Sequence, residues 1–128
     1  MMDSLRDRQT RHRRLDEALV HVFSARDLAG ALFDEPEFER NRHTGITLLK
    51  TAELRVVLVV AAAGVALARH VVHGPATLHL VEGELAIDTD EGCFSAGPGD
   101  LVVLPRDEGR EIVSRKRSIF LLVLSPES

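Results

Sequence analysis

Two histidines and one arginine are the residues of this chain whose types and spacing could do chemistry. His70 and His73 lie three residues apart, just before Gly74 and Pro75. Side chains three residues apart on an unbroken strand point to opposite faces, so the two histidines can share a metal ion only if Gly74-Pro75 interrupts the strand. Arg110 carries a guanidinium that can hold a carboxylate or phosphate through two parallel hydrogen bonds. The sequence therefore raises metal binding and anion binding as alternatives.

Each of these residues also has a simpler structural interpretation. His70 can be a partly exposed histidine at the end of a strand. Arg110 can be a surface arginine that pairs with Asp107, Glu108 or Glu111. Both interpretations stay open at the level of sequence.

Composition and charge narrow the function classes. The chain has 128 residues, of which 45% are hydrophobic and 28% charged, as expected for one globular domain. The net charge of −4 argues against general nucleic-acid binding. The single cysteine, Cys93, cannot form an internal disulfide, so no oxidising compartment is required. The longest apolar run, residues 56–68, is too short for a membrane helix. We expect a cytoplasmic protein that binds neither membranes nor nucleic acid.

The elements that position the candidate residues are mostly short strands. A helix is predicted over Ala25–Leu32, with Ser24 as N-cap, Asp27 in a capping-box position and Pro36 beyond its end. From about residue 45, apolar segments alternate with turn residues, which predicts an antiparallel sandwich or barrel. The predicted strands are 46–49, 54–60, 67–72, 77–81, 84–88, 93–96, 101–104, 110–113 and 118–124. The chain thus divides into an N-terminal basic arm and helix, residues 1–40, and a β-domain, residues 41–128.

Two glycine-containing motifs in the β-domain resemble those of the cupin family. The family's first motif has a glycine, five residues, a histidine and later a closing glycine, and Gly64, His70 and Gly83 stand at these places. The second motif has a glycine and, after five residues, a proline, and Gly99 and Pro105 match it. The resemblance implies an all-β fold, namely the cupin double-stranded β-helix or jelly-roll barrel, with a short N-terminal helical segment.

The resemblance also shows which metal ligands this chain lacks. Cupins that bind iron, manganese, nickel or zinc present three histidines and one glutamate inside the barrel. At the corresponding positions this chain has His70, Val72, Ala76 or Thr77, and Arg110. One imidazole beside a guanidinium that cannot deprotonate is a poor site for a divalent ion. The mapping therefore implies a protein without a metal cofactor.

We accordingly predict a metal-free module that binds a small molecule or has a structural role. The ligand would be small, and weakly polar or anionic, with Arg110 at the rim of its site. The predicted lining residues are His70, Leu78, Leu80, Leu85 and Val103. The alternative is a metal-dependent cupin enzyme, an isomerase or dioxygenase, in which His70, His73 and a nearby carboxylate hold the metal. A third possibility is a regulatory protein whose basic arm, residues 6–14, binds nucleic acid.

We also predict a homodimer formed through the outer faces of the sheets. The segments 56–60 and 120–124 carry apolar residues on both faces, so a single barrel would leave one set exposed. Alternation places His79 on the outer face as well, where it would lie at the dimer interface.

Overall fold

A computed structural model describes residues 19–67, 75–105 and 110–125. Two helices, α1 (Ala25–Phe33) and α2 (Pro36–Asn41), precede the strands. The strands are β1 (His43–Lys50), β2 (Arg55–Ala61), β3 (Ala66–Leu67), β4 (Ala76–Glu82), β5 (Leu85–Thr89), β6 (Gly92–Ala96), β7 (Leu101–Leu104), β8 (Glu111–Ser114) and β9 (Ser118–Leu124). The predicted all-β domain is confirmed, and β7 and β9 have their predicted bounds. Of the predicted strand 67–72, only residue 67 belongs to the described part of the chain, because residues 68–74 lie outside it.

The strands form two antiparallel sheets that face each other. Sheet A has the order β1-β2-β9-β4-β7, and sheet B has the order β3-β8-β5-β6. Strands distant in sequence, such as β2 and β9, are neighbours in sheet A. The chain therefore passes repeatedly from one sheet to the other and encloses a common interior.

An almost wholly aliphatic core fills the space between the sheets. Its buried members are Ala61, Leu67, Ala76, Leu78, Leu80, Leu85, Ile87, Ala96, Leu104 and Phe120. They alternate with outward-facing residues along each strand, as a two-sheet core requires. Leu78, Leu80 and Leu85 have no exposed surface, and burying such a side chain stabilises the fold by about 1.5–3 kcal/mol.

The two helices pack on the outer face of sheet A and form a second core there. This core contains Ala29 and Leu32 of α1 together with Ile46, Leu48, Leu58, Val60 and Ile119 of the sheet. Helix α1 begins after Ser24, whose Oγ accepts a hydrogen bond from the backbone N of Asp27 at 3.3 Å. The predicted helix and its N-cap are thereby confirmed.

Pro36 has a second role that the sequence analysis missed. It lies beyond the end of α1, as predicted, but it is also the first residue of α2. A proline fits that position because the first backbone N–H of a helix has no intrahelical acceptor. The second helix ends at Asn41, and β1 begins at His43.

Polar contacts fasten the helices to the sheet. Arg26 of α1 forms an ion pair with Glu82 at the end of β4. The guanidinium carbon of Arg117 lies 3.7 Å from the ring centroid of Phe33, which is a cation–π contact. None of the helices in the described residues is long and apolar enough to cross a membrane.

One end of the barrel is closed by two buried serines and a tight turn. Ser114 Oγ donates to the carbonyl oxygen of Ala62 at 2.5 Å and accepts from the backbone N of Val65 at 3.0 Å. Ser118 Oγ accepts from the backbone N of Glu84 at 3.1 Å. These hydroxyls satisfy backbone groups that would otherwise be buried without partners. We call this the closed end.

Candidate functional site

The opposite end of the barrel, where β7 ends and β8 begins, contains the candidate site, and we call it the mouth. In sheet A, Leu124 pairs with both Arg55 and Ala76, and Ala76 pairs with Leu104. Directly opposed residues of antiparallel strands share a face of the sheet. Leu124, Ala76 and Leu104 all pack into the inner core. Arg55 therefore lies on the inner face, at the mouth.

Arg110 stands at the mouth on the side of sheet B. It directly precedes β8, and Ile112, two residues further on, packs against the inner core. Alternation places Arg110 on this same face. Its Nη1 donates to the carbonyl oxygen of Pro105 at 3.0 Å, and Pro105 immediately follows the last residue of β7. The half-buried guanidinium is thereby held between the end of β7 in sheet A and the beginning of β8 in sheet B.

The predicted apolar lining is correct only in part. Leu78, Leu80 and Leu85 do face the interior, but all three are completely buried. Val103 is 67% exposed, so the prediction that it lines the barrel is wrong. The physical reason is the alternation of β7, in which Val102 and Leu104 pack into the inner core and Val103 consequently faces outward.

Six other apolar side chains of the inner core are partly exposed, and none of them was predicted from the sequence. They pack on the inner core yet are only partly buried, and they are Val59, Val65, Val102, Ile112, Leu122 and Leu124. Phe94 pairs with the buried Ile87 and so shares its face, but on the edge strand β6 it is 52% exposed. Of these residues, Leu124 pairs with Arg55 and Ile112 lies two residues from Arg110, so both arginines have a partly exposed apolar neighbour.

Arg55 is the functional candidate that the sequence analysis overlooked. It is the only charged residue of β2, whose other members are all valine, leucine or alanine. A single cation at one end of an otherwise apolar strand was the signal in the sequence that could have identified Arg55 as a candidate. The predicted strand 54–60 included Arg55, but its charge was not considered as a sign of function.

Solved structures with this two-sheet arrangement carry the same fold. A protein of unknown function from Rhizobium leguminosarum bv. viciae 3841 matches with a TM-score of 0.66 and 21% identity, over 85% of this chain and 99% of that one. A cupin-2 domain containing protein from Shewanella frigidimarina matches with a TM-score of 0.64 and 13% identity, over 81% and 94%. A cupin superfamily protein from Desulfitobacterium hafniense matches with a TM-score of 0.62 and 18% identity, over 68% and 80%.

The chain has the cupin fold. The fold expected from the two motifs is therefore confirmed. No protein-family model and no curated protein matches the chain. Because one fold hosts many functions, function has to be argued from the residues of the site.

The described residues of the cupin metal positions do not fit a metal site. Ala76 is buried on the inner face and has no donor atom, and Thr77 pairs with the outward-facing Val103. Arg110 is a permanent cation. Among the described residues, no group of three or more His, Cys, Asp or Glu side chains could hold a metal ion. His70, proposed both as ligand and as lining residue, and His73 lie outside the described residues, so their roles stay predictions.

The outer face of sheet A is only partly available for a dimer. The outward-facing residues of the segment 56–60 pack with α1 in the second core, and Leu58 and Val60 are completely buried there. A single barrel therefore does not leave these residues exposed. The argument that exposed apolar residues favour a homodimer fails for the segment 56–60. His79 is exposed, as predicted, and it pairs with Leu101, which is 62% exposed. The homodimer itself stays a prediction.

Proposed function

We propose that this cupin barrel is a metal-free, non-catalytic module that binds a small molecule with an anionic group and an aliphatic body. The observation that carries the proposal is the position of Arg110. Its guanidinium is held by Pro105 at the mouth, next to the partly buried walls that include Ile112 and Leu124. A carboxylate on this guanidinium would leave the ligand's hydrocarbon chain in contact with those walls.

The expected affinity follows from these two kinds of contact. A hydrogen bond to a charged group contributes about 1.5–3 kcal/mol, and each buried methylene contributes about 0.8 kcal/mol. Association costs several kcal/mol of translational and rotational freedom. For a six-carbon carboxylate the surplus is at most about 3 kcal/mol, so we expect a dissociation constant of roughly 10 mM.

The competing metal-dependent enzyme would have to use the displaced site of His70, His73 and a nearby carboxylate, because two positions of the usual cupin site carry no ligand in this chain. Ala76 has no donor atom, and Arg110 places a fixed positive charge where a cation would bind. Elemental analysis of protein purified without chelators separates the two proposals. Iron, manganese, nickel or zinc at one ion per chain, lost in His70→Ala, would overturn the metal-free proposal.

Calorimetric titration with hexanoate tests the binding function, with 1-hexanol as the uncharged probe of equal chain length. We expect hexanoate to bind and 1-hexanol to bind at least tenfold more weakly, because only the former reaches a guanidinium through a carboxylate. Arg110→Gln should lose the preference for hexanoate. Arg115→Gln is the matched control, because Arg115 is exposed in the β8–β9 turn at the closed end.

Two outcomes of this titration would count against the proposal. Equal affinity for the two probes would mean that no cation contacts the ligand. Unchanged hexanoate binding in Arg110→Gln would mean that Arg110 is not the contact.

A further inference from the structure

We infer that Arg55 is a second anion-binding residue of the mouth, and that the ligand is therefore an aliphatic dicarboxylate. This inference rests on the proposed function, and it names the class of molecule that the site would take. The geometry that carries it is the presence of two guanidinium groups on the inner faces of opposite sheets at the same end of one barrel.

The surroundings of Arg55 leave its buried Nε without a hydrogen-bond partner among the described residues. The neighbours in its own row are Lys50 on β1 and Leu124 and Ala76 on the other side, and Val57 follows on its own strand face. None of these side chains can accept a hydrogen bond.

An unpaired donor at such a position is costly to keep. A buried polar group without a partner lowers stability, and more so when it belongs to a charged side chain. Structural arginines normally bury their stem and pair or solvate their head group. A ligand carboxylate that accepts from Nε and a terminal nitrogen would satisfy Arg55, and arginine is well suited to this planar arrangement.

Arg110 is the second cation of the mouth. Its Nη1 is engaged with Pro105, which fixes the group at the mouth on the sheet opposite Arg55. Facing sheets lie about 10 Å apart, so two inward-reaching guanidinium groups can hold the two ends of a short dicarboxylate. The apolar side chains between them, such as Leu122 and Leu124, fit the hydrocarbon part.

Among the residues that the structure describes, no carboxylate near the mouth forms a salt bridge with Arg55, and Glu53 in the turn before it is exposed. Asp88 and Glu111 pair across β5 and β8 and are exposed. Asp90 and Glu91 are exposed in the turn between β5 and β6.

The test compares adipate with hexanoate, which have the same number of carbons, on the full chain and its Arg55→Met variant. In the unaltered protein we expect adipate to bind at least tenfold more tightly, since its second carboxylate gains charge-assisted hydrogen bonds. In Arg55→Met that preference should disappear, while hexanoate still binds through Arg110. Arg115→Met is the matched control and should keep the preference.

Thermal unfolding without ligand gives an independent measurement. Removing an unpaired buried donor should raise the Tm of Arg55→Met by roughly 3–6 °C, whereas Arg115→Met should leave it almost unchanged. A lower Tm for Arg55→Met would show that Arg55 has a structural partner and would overturn the inference.

The titrations distinguish failure of this inference from failure of the proposed function. If neither adipate nor hexanoate binds, the proposed function is wrong and the inference with it. If both bind equally, or if Arg55→Met keeps the preference for adipate, the inference alone is wrong.

Discussion

Gly83 closes the hairpin between β4 and β5, and replacing it with alanine should destabilise the whole domain. Its φ of +102° is strained for any residue with a Cβ, at about 1–3 kcal/mol. A Cβ would also collide with Ser118 Oγ and stand 2.5 Å from the carbonyl oxygen of Arg117 and 2.6 Å from Ser118 Cα. Two of these three atoms are backbone and cannot rotate away, and overpacking of this kind costs about 1–3 kcal/mol more. We expect Gly83→Ala to lower the free energy of unfolding by about 3–5 kcal/mol in total.

Equilibrium unfolding in urea measures this loss. The chain has no tryptophan and no tyrosine, so far-UV circular dichroism is the suitable probe. With a slope of about 2 kcal/mol per M, the midpoint should fall by roughly 1.5–2.5 M. Gly64→Ala is the matched control, because Gly64 also has a positive φ, of +81°, but a Cβ there would meet nothing within 4 Å. If Gly83→Ala costs no more than Gly64→Ala, the contact argument is refuted.

Two further substitutions test the closed end and the helix. Ser114→Ala should lower the free energy of unfolding by about 1–3 kcal/mol, because Ala62 and Val65 would each lose a buried hydrogen-bond partner. The same urea assay measures this change. A loss below about 0.5 kcal/mol would mean that water replaces the hydroxyl. Gly30→Ala should raise it by about 0.5–1 kcal/mol, because Gly30 lies in α1 and a Cβ there would meet nothing within 4 Å. A destabilised Gly30→Ala would show that α1 packs more tightly on the sheet than its open surroundings indicate.

The order and type of the elements followed from the sequence because local chemistry determines them. Ser24 begins α1 as an N-cap, and the glycines at 83 and 99 occupy positive-φ turns in the structure. Alternation placed Leu78 and Leu80 inside and His79 outside. Each of these inferences needs only neighbouring residues.

What the sequence did not predict depends on contacts between distant segments. Val103 was predicted to line the barrel, but nothing in its own segment shows which face of β7 is inward, and its pairing with Thr77 places it on the outer face. The outer face of β2 looked exposed because nothing in that segment shows that α1 would cover it. Arg55 reached the mouth through its pairing with Leu124, a residue 69 positions later.

If the ligand is held as we propose, the two arginines make metal binding and anion binding exclude each other at the mouth. A divalent ion about 4 Å from a guanidinium, at the effective dielectric constant near a protein surface, would be repelled by roughly 8 kcal/mol. Arginine cannot relieve this repulsion by losing its proton, as a histidine ligand can. The same fixed charge attracts a carboxylate at any physiological pH. Under our proposal, Arg110 at a cupin ligand position, opposite Arg55, makes the mouth suited to acids instead of metal ions without any change in the aliphatic core.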